Sequence, residues 1–265
     1  MTDKPKDHWA SGNDYEPYVG RWSRLVAREF IDWLGVPKGR AWLDVGCGTG
    51  ALTLTVLQIA DPSKAKGLDR SEGFVAYARA KITDKRADFE VADAQALPVE
   101  DKSYDVAVSG LVLNFVPQPE KMIAEMTRAS RGLVALYVWD YADGMQMMRH
   151  FWDAAAALEP EAAKLDEGPR FVGCQPEPLK ELFESQGLKD VQVRPIEVPT
   201  VFKDFDDYWL PFLGGQGPAP TYAMSLSEER RAALREKIRA GLPIAGDGSI
   251  PLTARAWAVK GTSLA

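Results

Sequence analysis

Residues 42–50 read Trp42-Leu43-Asp44-Val45-Gly46-Cys47-Gly48-Thr49-Gly50, and this stretch decides the fold. Ala41 to Val45 has the apolar, partly β-branched make-up of a buried parallel strand, and Ala51 to Ala60 has the continuous apolar content of a helix packed on a sheet. The glycines between them supply the turn. Lacking Cβ atoms, they can take φ > 0 and let a ligand lie almost on the backbone, whose free N–H groups open the next helix. The alternative is a tight strand–helix turn without a ligand.

Glycine spacing separates ligand classes. Dinucleotide folds use G-x-G-x-x-G, with a pyrophosphate on the helix N-terminus. Here the spacing is G-x-G-x-G, and Asp44 stands two residues before the first glycine. An acid at that place repels a phosphate and suits a cation. The string Asp44-Val45-Gly46-Cys47-Gly48-Thr49-Gly50 resembles the first motif of the class I S-adenosylmethionine-dependent methyltransferases. Their ligand brings an ammonium and a sulfonium and no phosphate. The resemblance implies an α/β, Rossmann-like fold with a seven-stranded, mostly parallel sheet, helices on both faces and an inserted helical substrate cap. It also implies S-adenosyl-L-methionine as cofactor, lined by Asp44, Gly46, Cys47, Gly48 and Gly50.

Outward from the turn, residues 20–34 carry Trp22, Leu25, Val26, Phe30, Trp33 and Leu34 at helical spacing, ending before Gly35 and Pro37. Residues 64–70 form a second strand, and Ser71 caps a helix through about Ile82. Ala87 to Ala94, Tyr104 to Gly110 and Gly132 to Trp139 make three further strands, with a helix over Pro119 to Arg131. Strands alternating with helices imply an open parallel sheet, its ligand at the carboxyl ends of the strands. Beyond residue 140 the rhythm changes. Met145 to Leu165 reads as one long helix, Pro178 to Gln186 as another, and Val191 to Val201 as a strand interrupted by Pro195 and Pro199. A charged helix from Ser227 to Ala240 precedes a last strand over Thr253 to Val259. The expected organisation is one domain over 1–265: an N-terminal helical lid (15–36), a cofactor core (37–140) and cap insertions (141–175 and 204–250). The glycine-proline run at 214–218 is either a lid hinge or a surface turn.

Within the class I resemblance, which spans roughly residues 15 to 140, three further places match the family pattern. Asp69, with Arg70 beside it, ends the second strand, where a carboxylate accepts both ribose hydroxyls. Asp93 and Ala94 follow the third strand, where an acid in the family accepts from the adenine amine. Tyr104 to Pro117 is similar to the matching stretch of the small-molecule methyltransferases related to quinone biosynthesis. The backbone of Ser109, Gly110 and Leu111 then faces the methionyl end of the cofactor, and Asn114 and Phe115 lie near the transferred methyl. Many relatives carry a histidine pair at these two positions, so this chain departs from histidine-assisted deprotonation. Tyr18 is the expected aromatic on the cofactor side, because N-terminal helices in similar enzymes fold over the methionyl group.

Methyl transfer from a sulfonium is an in-line displacement with an excellent leaving group, so alignment and desolvation supply most of the catalysis. A base matters only for a nucleophile protonated at working pH. His150 and Asn114 are the candidate catalytic residues, and Asp140 and Asp204 are further candidates for a base. Cys47, between two glycines, reads as a small residue in a crowded turn. Asp206 and Asp207 read as a solvated helix start.

Bulk properties narrow the partners. Hydrophobic content of 46% and charged content of 26% are those of an ordinary globular protein. A net charge of −6 with no basic run argues against nucleic acid and for a small-molecule methyl acceptor, apolar or planar. Two distant cysteines signal neither a disulfide framework nor a zinc knuckle, and two histidines make a metal site improbable. With no apolar leader and no stretch of roughly 18 apolar residues, a cytoplasmic monomer or homodimer is expected. Two other functions compete: a cofactor-binding sensor or assembly protein without catalysis, and an NAD-dependent oxidoreductase lacking the usual third glycine.

Overall fold

The computed structural model describes residues 20–214 and 217–263. Two compact units emerge from the described chain: residues 20–139, 173–196 and 256–263 form one, and residues 140–172 and 197–255 the other.

The first unit is built on a sheet whose strands are β1 (Ala41–Val45), β2 (Lys64–Asp69), β3 (Ala87–Val91), β4 (Tyr104–Gly110), β5 (Ser130–Trp139), β6 (Lys189–Phe202) and β7 (Ile250–Thr262). Their order is β3-β2-β1-β4-β5-β7-β6. β1 runs parallel to both neighbours, with Trp42 opposite Ala65 on one side and Val106 on the other. β7 runs antiparallel to β5. Every residue of β1 is buried, as its largely apolar make-up predicts, and Asp44 is buried with the rest. After β1 the chain builds β2 and β3 to one side, then returns to place β4 on the other. That reversal is the topological switch point, and the crevice outside the carboxyl ends of β1 and β4 is where this architecture takes ligands.

Helix α1 (Arg21–Leu34) ends at Gly35, whose φ of 65° makes a left-handed cap. Its buried face is Ser23, Val26, Ala27, Phe30, Ile31 and Leu34, a stripe at 3.6-residue spacing. Burying each large apolar side chain of that stripe contributes about 1.5–3 kcal/mol. Phe30 meets Tyr137 of β5 edge-on at 4.8 Å. Residues 21–34 are therefore part of the packed core layer and not a separable lid. Leu25, expected inside, is 41% exposed, and Trp33 is covered by the cations of Arg194 and Lys260. Helix α2 (Ala51–Thr55) widens into a π turn over Val56–Ala60. Helices α3 (Glu72–Lys81) and α4 (Pro119–Ala129) complete the crossovers. The fourth helix stops at Ala129, where Ser130 turns extended and opens β5.

β6 is one continuous 14-residue strand, longer than the interrupted one expected from Pro195 and Pro199. It lies at the outer edge of the sheet, where a missing N–H leaves no ladder bond unmade.

The second unit is helical. α5 (Gln146–Leu158) ends where Glu159 adopts φ −141°, ψ 103°, and a separate 3-10 turn follows over Pro160–Lys164. The single helix expected over 145–165 is thus broken by Pro160, which excludes its predecessor from the α region. Phe151 of α5 stacks on Phe212 at 4.6 Å, and the Tyr208 hydroxyl donates to the Met147 carbonyl at 2.8 Å. The aromatics of this stretch are largely spent on this core. Helix α6 (Glu167–Arg170) places Glu167 in the interior, where the Trp152 indole N–H donates to it. Burial raises the Glu167 carboxyl to about 7. Between its ordinary range and that value the folded protein holds the extra proton, so stability falls as pH rises through the window. Glu167→Gln is accordingly expected to raise the melting temperature at pH 8 and leave it nearly unchanged at pH 5, as a thermal-melt series would show.

Candidate active site

The glycine turn is assembled by β2. The Leu68 carbonyl accepts the N–H groups of Gly46 and Cys47 at 2.7 and 2.9 Å, and the Cys47 carbonyl accepts that of Gly50 at 2.8 Å. Gly46 and Gly48 have φ of 76° and 54°, in the left-handed region. A Cβ on Gly46 would stand 2.5 Å from the Val112 side chain, so the exit of β4 lies directly on the turn. A Cβ on Gly48 would meet nothing within 4 Å among the described residues. That face of the turn is open.

Asp44 ends up 3% exposed on the central strand. Its Oδ2 accepts the Thr53 hydroxyl at 2.6 Å, while its Oδ1 is buried with no hydrogen-bond partner. Burial, with a smaller push from Asp69, raises this carboxyl to about 7. A buried carboxylate lacking a counter-charge is costly, and a cation is what it lacks. Thr53 had not been singled out from the sequence; its signal is a hydroxyl on the first turn of α2, nine residues after Asp44.

Asp69, at the end of β2, clasps two backbone groups. Its Oδ2 accepts Gly48 N–H at 2.9 Å and its Oδ1 accepts Ser71 N–H at 2.8 Å. Burial raises its pKa and these two bonds oppose the rise. Each oxygen keeps a second lone pair. Arg70 is exposed, and its charge acts on both Asp69 and Asp93. Asp93 lies two residues past the end of β3, which stops at Val91 and not at Ala94. Its Oδ1 accepts the backbone and side-chain amides of Gln95, which hold its carboxyl below the usual range. Asp93 is exposed and Ala94 half-buried in the turn so formed.

At the end of β4, the Ser109 hydroxyl donates to the Val45 carbonyl at 2.6 Å and ties β4 to β1. A Cβ on Gly110 would collide with the Tyr137 hydroxyl. Leu111 then takes φ 64°, a conformation costly for a branched residue, with its N–H on the Tyr137 carbonyl at 2.8 Å. Leu113–Phe115 is a 3-10 turn that carries Asn114, whose amide oxygen and nitrogen are both buried without a partner. Cys47 is buried and free, and burial pushes its thiol well above its ordinary pKa, which keeps it protonated and unreactive. Tyr18 lies outside the described residues, as do Gly215 and Gln216 of the glycine-proline run.

The geometry presents a cation receptor, a two-pronged acid and an open glycine face, and similarity to known proteins agrees with it. Residues 43–136 match the methyltransferase domain family. A demethylmenaquinone methyltransferase of Bacillus licheniformis is 31% identical over 182 residues, which are 61% of this chain and 76% of that protein. One from Staphylococcus aureus is 27% identical over 187 residues, covering 65% and 76%. The chain belongs to the class I S-adenosylmethionine-dependent methyltransferases. Its fold is also that of the phosphoethanolamine N-methyltransferase 2 of Haemonchus contortus, seen with phosphomonomethylethanolamine and S-adenosylhomocysteine. That match has a TM-score of 0.60 at 15% identity and covers 95% of this chain and 58% of the other.

In this methyltransferase the unpartnered Asp44 Oδ1 has the chemistry to accept an ammonium such as that of S-adenosylmethionine, and Asp44 would be the residue to hold it. When bound, the cofactor supplies the methyl group and the sulfonium that leaves it. Two of the candidate bases are otherwise engaged. Asp140 is 1% exposed, and its Oδ2 accepts Arg255 Nε at 2.7 Å. Asp204 caps the helix Phe205–Trp209, its Oδ1 accepting Asp207 N–H at 2.8 Å. Asp207 also accepts Lys203 N–H and Asp206 pairs with Arg235, so both serve the start of that helix. His150 sits half-buried on α5 in the second unit, and burial lowers its pKa against the opposing charge of Asp153. It stays neutral at pH 7.

Asp140→Ala takes the buried carboxylate from Arg255, which keeps Glu197 at 3.7 Å. The variant is expected to lose about 1–3 kcal/mol of stability in urea unfolding while the protein that remains folded keeps its cofactor affinity. Unchanged stability with a lost turnover would instead return Asp140 to the chemistry.

Proposed function

We propose that this methyltransferase transfers its methyl group to a small apolar or planar molecule, by alignment and without a strong protein base. The carrying observation is the exit of β4. Asn114 and Phe115 occupy it without a histidine, and a neutral amide takes up no proton at working pH. In this reading Asp44 holds the ammonium, Asp69 the ribose hydroxyls and Asp93 the adenine amine. The backbone of Ser109 to Leu111 borders the methionyl end, while the open face at Gly48 receives the body of the cofactor. His150 is kept as a secondary catalytic candidate and Tyr18 as a cofactor-side aromatic.

The curated relatives are named for a quinone precursor, which supports a planar acceptor. The net charge of −6 favours a small molecule over nucleic acid. Among the described residues no helix is long and apolar enough to cross a membrane. Cys47 and Cys174 are both buried and far apart in sequence, which suits a reducing cytoplasm. We take residues 141–175 and 204–250 as the region that selects the acceptor, in a protein working as a monomer or homodimer.

The test is transfer of labelled methyl from S-adenosylmethionine to a panel of naphthoquinols, phenols, amines and thiols. Incorporation into at least one planar acceptor is expected. Tight binding of S-adenosylhomocysteine with no transfer to any acceptor would favour a cofactor sensor, a reading that the engagement of Asp140 and Asp204 in structural bonds keeps in view.

A further inference from the structure

Asn114 presents a problem of hydrogen-bond accounting. Its amide offers two donors at Nδ2 and an acceptor at Oδ1. Among the described residues neither atom has a partner, and both atoms are buried. Leaving such groups unpaired inside a protein opposes folding, and a leucine of similar shape would carry no such cost. The residue sits on the 3-10 turn Leu113–Phe115, three residues after the left-handed Leu111 and two after Val112, whose side chain lies against Gly46 of the glycine turn. The unpaired amide therefore belongs to the segment that leaves β4 at the switch point.

We propose that Asn114 is a specificity-determining residue that recognises the methyl acceptor through a paired donor and acceptor, so that the acceptor carries an N–H or O–H group next to a carbonyl or hydroxyl oxygen. This rests on the methyltransferase reading and adds the acceptor's polar edge to it. A single group of one polarity is insufficient: a carboxylate satisfies only Nδ2, and an ammonium only Oδ1. A lactam, an imide or a hydroxyl beside a carbonyl satisfies both. The cofactor's ammonium has its own receptor at Asp44 Oδ1 and its ribose has Asp69, which leaves the Asn114 amide for the second ligand. Because the amide does not ionise, it orients the acceptor and leaves the proton of the reacting atom where it is.

The experiment uses the full chain saturated with S-adenosylhomocysteine and titrates three bicyclic probes: oxindole, with adjacent N–H and C=O; N-methyloxindole, without the N–H; and indane, with neither. Oxindole is expected to bind at least about tenfold more tightly than either of the others, and Asn114→Leu is expected to erase that preference. The same variant should keep its S-adenosylhomocysteine affinity within about threefold. It should also melt, ligand-free, at or above the wild-type temperature, because an unpaired polar group has been removed. Asn114→Ala serves for the titrations if the leucine variant does not fold. Equal binding of oxindole and N-methyloxindole by the wild type, or a preference that survives in the variant, overturns the proposal. A tenfold loss of S-adenosylhomocysteine affinity in the variant overturns it too, by assigning the amide to the cofactor. Failure of the wild type to bind S-adenosylhomocysteine at all would instead strike the methyltransferase reading, before any probe is added.

Discussion

Asp44→Asn is expected to abolish cofactor binding and, at pH 8, to make the ligand-free protein more stable. The two effects have one origin. The Asp44 carboxyl is fully buried, its Oδ2 satisfied by Thr53 and its Oδ1 by nothing, and burial lifts it to about 7. Between an ordinary carboxylate pKa and that value the folded protein binds a proton that the unfolded chain has released. Stability of the ligand-free protein therefore falls as pH rises through the window, and the full loss is present above it. A shift of that size corresponds to a few kcal/mol, and asparagine removes the charge while its amide oxygen still accepts from Thr53. The expected gain is several degrees in melting temperature at pH 8 and almost none at pH 4. Cofactor affinity moves the other way. Removing one partner of a buried charge pair costs about 3–5 kcal/mol, or at least a hundredfold in dissociation constant. In the wild type, binding below pH 7 should release a proton from Asp44 and weaken as pH falls, and the variant should lose that contribution. Calorimetry across pH measures both.

Asp69→Ala has the second largest expected effect, by a different route. Asp69 holds the glycine turn to the next helix through Gly48 N–H and Ser71 N–H, and each of its oxygens keeps a lone pair for the ribose hydroxyls that we propose it binds. Alanine leaves two backbone donors without their charged acceptor. The cost to stability is about 1–3 kcal/mol. Cofactor binding should weaken at least tenfold, because the ribose contact and the shape of the turn are lost together. Asp93→Ala is the internal comparison: that side chain is exposed and holds only its own turn, so a smaller loss is expected. An Asp93 variant weaker than the Asp69 variant in equilibrium titration would reverse this ranking of the two acids.

Much of this was legible before any coordinates, because the signals were local. A buried parallel strand, a glycine turn and an acid in the right place lie within nine residues, and the order of Asp44, Asp69 and Asp93 along the chain follows the order of the strands. What escaped depended on groups brought together from far apart. Asp140 passed for a base until Arg255, 115 residues away, closed on it. Asp204 looked reactive because a helix cap and a free acid have the same sequence signature. Gly46 needs to be glycine for the side chain of Val112, on a different strand's exit. The break at Glu159-Pro160 was readable from the proline and was outweighed by the apolar run before it. Unpaired atoms, such as Asp44 Oδ1 and the Asn114 amide, are invisible to sequence altogether, since they are defined by what fails to reach them.

The central claim is that the Asp44–Gly50 turn, clasped by Asp69, holds S-adenosylmethionine by its cationic end. Isothermal titration of the purified protein with S-adenosylmethionine and, separately, with NADH tests it most directly. Saturable one-to-one binding of S-adenosylmethionine, lost in Asp44→Asn, with no saturation by NADH is the predicted result. Saturation by NADH in place of S-adenosylmethionine, or S-adenosylmethionine affinity that Asp44→Asn leaves unchanged, would contradict it.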